Sequence, residues 1–162
     1  MKIRDANEND AAAIAQIWNP VIENTAATFT TDLKTAQGLA ADFKAKAAAG
    51  HGFFVAQKEG ALIGFATYFQ FRGGPGYKHT LEHSVILAPE AKGQGTGRAL
   101  MQHLISHARA SGGHTLFAGV SSENPAGVAF HEAIGFQKVA QLPQVGRKFD
   151  RWMDLILLQK TL

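Results

Sequence analysis

The chain contains no cysteine, which excludes disulfide bridges, thiolate metal sites and a cysteine nucleophile. No uncharged apolar run approaches the ~20 residues of a membrane-spanning helix, and the opening stretch MKIRDANEND lacks the apolar core of a secretory signal. No block of five or more Lys/Arg occurs, so the basic arm typical of nucleic-acid binding is missing. What is present describes a globular protein. Its 162 residues fit one domain, and 46% hydrophobic against 18% charged residues, with 11 Phe, are enough for a real core. The formal charge of +3 is small and suits an anionic small molecule better than a polyanion. These features predict a soluble, cytoplasmic single domain over residues 1–162, with neither nucleic acid nor membrane as partner.

Glycine and proline punctuate the chain at short intervals, as in a compact α/β domain. Lys2–Asp5 reads as a short strand. Asn9 or Asp10 precedes a helical pattern at Ile14, Ile17, Trp18, Val21 and Ile22, in which Pro20 predicts a kink or break. Asp32 or Thr35 opens a second helix running to about Ala49. Phe53–Val55, the Glu59–Gly60 turn and Leu62–Phe71 read as a hairpin, followed by a loop at Gly73–Gly76. Strands are expected at Thr80–Leu87, Thr115–Val120, Phe136–Gln141 and Arg151–Leu158. Helices are expected at Gly95–Ser111 and at Pro125–Ile134, the latter with proline in its first turn and Gly135 as its stop. The order predicts an α/β (α+β) fold: one mixed, twisted sheet of about seven strands flanked by about four helices.

The most informative segment is Ala91–Lys92–Gly93–Gln94–Gly95–Thr96–Gly97–Arg98, between a strand and a strong helix. Three glycines sit where a helix leaves its first N–H groups unpaired, and the helix dipole adds partial positive charge there. Lys92 and Arg98 flank the loop with full charges. The pattern is not the GxxxxGK[ST] of a P-loop. It is GxGxG rather than GxGxxG, with too little chain following for a dinucleotide domain. A coenzyme A site and a plain glycine turn remain.

The run Glu82–His83–Ser84–Val85–Ile86–Leu87–Ala88–Pro89 followed by Gly93–Gln94–Gly95–Thr96–Gly97–Arg98–Ala99–Leu100 resembles the acetyl-CoA motif of the GNAT N-acetyltransferases. Asn124–Pro125–Ala126–Gly127–Val128–Ala129–Phe130–His131–Glu132–Ala133–Ile134–Gly135–Phe136 resembles that family's later motif. Val145–Asp154 looks like the penultimate segment of its phosphinothricin and methionine sulfoximine acetyltransferase branch. The resemblance covers essentially the whole chain.

The resemblance implies acetyl-CoA as cosubstrate. The backbone of Val85, Ile86 and Leu87 would pair with the pantetheine arm, Lys92 through Arg98 would cradle the pyrophosphate, and Asn124 would hydrogen-bond the cofactor arm. Lys92 stands where the family usually has Arg or Gln. His131 stands where many members carry a tyrosine that protonates the departing thiolate; a histidine titrating near neutrality suits that work, and equally suits plain packing over the cofactor. Acyl transfer needs a neutral amine, so a proton acceptor is required. Glu82 lies mid-strand, where glutamate is disfavoured, and matches the family's glutamate at the mouth of the substrate cleft. A backbone N–H near Val85 is expected to stabilise the oxyanion.

Arg72 matches the branch position that holds the substrate's carboxylate, a bidentate task suited to guanidinium. Gly73, Gly74, Tyr77, His83, Ser84 and Phe29 are the remaining expected substrate contacts, with Phe71 as a further wall; Lys148 and Trp152 are pocket or dimer-contact candidates. Gly73–Gly76 departs from the family's loop in detail. No metal is expected: His103 and His107 lack a third ligand, and His79 and His83, four residues apart on a strand, lie over ~12 Å from each other. The reading is an N-acetyltransferase for the α-amine of a small amino-acid-like acid, detoxifying glutamine synthetase inhibitors. It would act by direct attack in a ternary complex, and the branch implies a homodimer. The alternatives are a GNAT enzyme for another amine, such as a peptide N-terminus or polyamine, and a non-catalytic CoA-binding regulatory domain.

Overall fold

The computed structural model describes residues 1–162. Seven strands form: β1 (Lys2–Asp5), β2 (Phe53–Lys58), β3 (Ala61–Gln70), β4 (Thr80–Leu87), β5 (Thr115–Ser121), β6 (Gln137–Lys148) and β7 (Arg151–Thr161). The helices are α1 (Ala11–Asn24), α2 (Ala36–Ala48), α3 (Thr96–Ala110) and α4 (Pro125–Ala133). One sheet holds all the strands in the order β1-β2-β3-β4-β5-β7-β6. Every neighbouring pair is antiparallel except β4 and β5, which run parallel.

Alternation along each strand decides which helices its side chains meet. Phe53, Val55 and Phe65 pack with Ile14, Leu39 and Phe43 of α1 and α2 on one face. Phe54, Ala66, Tyr68, Leu81, Leu116 and Leu158 pack on the other face with Leu100, Met101, Leu104 and Ala108 of α3. Side-chain caps start two of the helices: Thr35 Oγ1 accepts from the Gly38 N–H at 3.0 Å, and Asn124 Oδ1 accepts from the Gly127 N–H at 3.0 Å. No helix is long and apolar enough to cross a membrane.

Two expectations are corrected. Of the kink or break expected at Pro20, the break does not occur: α1 runs unbroken to Asn24, and Gln16, whose carbonyl loses its helical partner, is exposed, where solvent can supply a donor. The strand expected at Phe136–Gln141 extends to Lys148, because it pairs with β7 through a tight hairpin. Phe149 and Asp150 form that turn at φ 53° and 57°, the left-handed pair of a two-residue type I′ connection. Exposed polar residues along the edge strand hide this length from an apolar-run reading.

The decisive feature of the sheet is where it opens. β3 pairs with β4 as far as Leu87, and β5 pairs with β7 as far as Ser121. The β4–β5 ladder covers only Thr80↔Thr115 to His83↔Ala118. Beyond that rung Ser84–Leu87 and Gly119–Ser121 part company. Because the two strands are parallel, their carboxyl ends and the helices that follow them, α3 and α4, begin at this opening.

Candidate active site

The fork between β4 and β5 leaves one flank of the Ser84–Leu87 backbone without a strand partner, so its peptide groups are free to bond an extended ligand arm. At the open end stands the first turn of α3. Its N-cap, Gly95, has φ 80° and supplies no side-chain cap, so the first N–H groups point outward with nothing from the chain upon them. Gly93, at φ 73°, likewise needs a left-handed backbone. A Cβ at either glycine would meet nothing within 4 Å, so the loop surrounds open space, as an anion cradle must. Gly97 serves differently: a Cβ there would press on Phe130 at 3.2 Å, so it lets α3 sit close to α4. Gln94 bonds back to the Glu90 carbonyl at 2.6 Å and Arg98 reaches the Ala133 carbonyl at 3.3 Å, while Lys92 is exposed beside the loop.

Glu82 lies one rung before the fork, paired with Phe69 of β3 and Phe117 of β5. It is half-buried, makes no hydrogen bond or ion pair within the chain, and burial pushes its carboxyl above the ordinary glutamate value. Room for it comes from Gly119, where a Cβ would stand 2.9 Å from Glu82 Oε1. Beside it runs an aromatic wall. Phe71 stacks on Phe117 with centroids 4.7 Å apart, Tyr77 lies 6.4 Å from Phe71, and the Arg72 guanidinium sits 5.6 Å from the Tyr77 ring centre. Gln70 shapes the loop between them by donating to the carbonyls of Arg72 and Gly74, at 2.6 and 2.8 Å; Gly74 supplies the turn at φ 97°. Phe117, Phe71, Tyr77 and Arg72 thus form a chain of contacts that starts at Glu82, with Ser84 on the same face of β4 by alternation, whereas Gly74 borders a cavity with Tyr68, Leu81 and Ala108 on the α3 side of the sheet.

Two expected residues, His83 and Lys148, are placed otherwise. His83 points to the opposite face from Glu82 and is 6% exposed; its ring bonds His131, so it is no wall of the Glu82 pocket. Burial, and then the charge of His131, push His83 down to about 3, and burial also lowers His131. Phe29 lies over Gly146 of β6, whose missing side chain makes room for the ring. Lys148 is 4% exposed and donates to the carbonyls of Ile22, Thr25 (2.7 Å) and Thr28 (2.9 Å). It fixes the end of α1 and the segment leading to Phe29, a structural task, while Trp152 is exposed. Asn124 caps α4 through its oxygen, leaving its Nδ2 without a hydrogen bond in the chain.

Two residues escaped sequence reasoning. Phe117 and Gly119 flank Glu82 only because β5 lies parallel to β4 in this register, and no local pattern encodes that register. No group of three or more His, Cys, Asp or Glu side chains converges as metal ligands would.

Comparison with known proteins agrees with this geometry. Residues 3–157 match the family described as the acetyltransferase (GNAT) domain. The chain is 41% identical over 162 residues to the L-amino acid N-acyltransferase MnaT of Escherichia coli, covering 100% of this chain and 94% of that one. It is 38% identical to an L-methionine sulfoximine/L-methionine sulfone acetyltransferase of Salmonella typhimurium, covering 100% and 95%. A phosphinothricin acetyltransferase of Sinorhizobium meliloti, solved in complex with acetyl-CoA, superposes with a TM-score of 0.94 at 31% identity, covering 99% of this chain and 88% of that one. With its forked sheet, uncapped glycine cradle and family match over nearly its full length, the chain belongs to the GNAT acetyltransferases.

Proposed function

We propose that this protein transfers the acetyl group of acetyl-CoA to the α-amine of a small amino-acid-like acid: methionine sulfoximine, methionine sulfone or phosphinothricin. Acetyl-CoA, when bound, supplies an acetyl group activated as a thioester. The chain does the rest. The N–H groups at the start of α3, with Gly93 and Gly95 leaving space and Lys92 and Arg98 adding charge, hold the diphosphate. The free flank of Val85, Ile86 and Leu87 holds the pantetheine arm in the fork, with Asn124 Nδ2 as a further donor and the Val85 N–H facing the developing oxyanion. Arg72 takes the substrate carboxylate, and Tyr77 and Phe71 wall its side chain. Glu82 accepts the amine proton, directly or through one water, and His131 serves the leaving sulfur. The observation that carries this reading is Glu82, an unpaired carboxyl beside the fork whose proton affinity burial has raised.

On the same reading the enzyme works in the cytoplasm as a homodimer and inactivates inhibitors of glutamine synthetase. A thiol-release assay with DTNB across a panel of amines tests the substrate class. Sulfoximine, sulfone and phosphinothricin should each outpace plain methionine; equal rates, or a preference for polyamines or peptide N-termini, would overturn the assignment. Arg72→Ala should raise KM for these acids roughly 10- to 100-fold, the loss of a charge-assisted hydrogen-bonded pair, while leaving KM for carboxylate-free amines unchanged.

A further inference from the structure

Two buried imidazoles meet at the base of the β4–β5 fork. His131 Nδ1 lies 2.7 Å from the Gly127 carbonyl within α4, and His83 Nδ1 lies 2.9 Å from the Phe117 carbonyl of β5. A carbonyl oxygen only accepts, so each Nδ1 carries a hydrogen. A neutral imidazole has one N–H, so two neutral rings would turn bare lone pairs toward each other at Nε2. The two Nε2 atoms are 3.0 Å apart, a hydrogen-bond distance that requires a hydrogen between them. Two Nδ1–H groups and one bridging hydrogen would make three protons on two rings, and one positive charge that these bonds hold against the burial of both rings.

We propose that His83 and His131 hold this one extra proton in common, that His83 positions His131 through it, and that the pair releases it to the thiolate leaving acetyl-CoA. The proposal rests on the acetyl-transfer reading above and extends it to a residue on the far face of β4. His83 forms the last rung of the β4–β5 ladder, so the proton is stored where the strands part.

No other charged side chain bonds the pair. Phe136 lies 5.5 Å from the His83 ring and 5.3 Å from the His131 ring, and Phe130 lies 5.1 Å from His131. β5 carries no ionisable side chain, and Glu82 points to the other face of β4. Among charged groups on the packed helices and β7, Glu132 is exposed, Arg98 bonds the Ala133 carbonyl, and Lys160 lies beside Gly135. None hydrogen-bonds either ring. Burial keeps a second charge out of the pair and makes the shared proton more acidic than that of a free imidazole. Such an acid readily protonates a thiolate, whose conjugate thiol titrates near ~8.5.

The protons balance. Counted from the neutral amine, the C–N bond forms and the C–S bond breaks; Glu82 takes one proton from nitrogen and the histidine pair gives one to sulfur. Solvent then returns the proton from Glu82 to the pair. Giving up the bridge leaves two facing lone pairs, which repel until the proton is restored.

Two-bond 1H–15N correlation NMR of the histidine-labelled full chain, titrated with pH, tests this without any substrate. Both Nδ1 atoms should remain protonated throughout, and one proton should be taken up in a single step seen by both rings. His83→Gln can still hydrogen-bond His131 but cannot share a charge, so His131 should then titrate alone at a midpoint lower by about one unit. In parallel, kcat should fall as pH rises through the pair's midpoint, and this limb should move to lower pH in His83→Gln. Two independent titrations, an unprotonated Nδ1, or a limb unmoved by His83→Gln would overturn the proposal. Should the variant not fold, the wild-type titration alone decides. A shared titration in a protein that acetylates no amine would sink the function instead and leave the proton count standing.

Discussion

A glutamate with no partner, half-buried on a central strand, costs stability whenever it is charged. Glu82 is such a group, and the direction of its shift fixes a sign. Its carboxyl binds a proton more tightly folded than unfolded. Glu82 therefore favours the folded state fully below the ordinary glutamate value, and that contribution is lost as pH rises through the elevated folded value. Glu82→Gln should accordingly raise the melting temperature at pH 7 to 8, and the gain should vanish in acid, below the ordinary carboxyl range. The same variant should lose roughly 10²- to 10⁴-fold in kcat, the span assigned to a general base. Stability gained where activity is lost separates a group kept for chemistry from one kept for structure; a variant both less stable and fully active would remove Glu82 from the mechanism.

At the scale of elements, much was legible because local rules and tertiary packing agree. The stripe at Leu100, Leu104 and Ala108 lies wholly buried, Thr35 caps α2, and the glycines before α3 adopt the left-handed backbone their loop needs. What was not legible depends on pairing between distant segments. His83 reads as a neighbour of Glu82 along the chain, yet strand alternation sends it to the opposite face, where α4 brings His131 to it. Lys148 reads as a pocket or dimer-contact residue, yet the β6–β7 hairpin carries it under α1, where it replaces the missing N–H partners of three carbonyls. That placement predicts Lys148→Met to cost about 1–3 kcal/mol by leaving buried acceptors unpaired at a helix C-terminus. Denaturant unfolding measures it. A neutral result would mean that water satisfies these carbonyls, and that the segment from Thr25 to Phe29 needs no clamp.

For the molecule as a whole, the sheet is two half-sheets, β1–β4 and β5–β7–β6, joined by a parallel ladder only four residues long. The apolar core beneath it, spanning Leu81 to Leu158 with α3, crosses the seam and keeps one folding unit. The opening above it is the part of the sheet with peptide groups to spare. A ligand arm lying in the fork acts as a short extra strand, joining the two halves where the protein leaves them apart, while its diphosphate satisfies the N-terminus of α3. Binding to the folded state alone stabilises by about 2.7 kcal/mol at one hundred times Kd, which for a domain of this size raises Tm by roughly 5–10 °C. Acetyl-CoA should produce that shift, and amide exchange should slow in a defined pattern: at Ser84–Leu87, at Gly119–Ser121 and at residues 95–98, but not in α2 or the β6–β7 hairpin. Protection spread evenly over the sheet would mean a general tightening. Protection confined to the α3 turn would mean that the diphosphate is held while the arm stays outside the fork, and the acyl group would then have no path to Glu82.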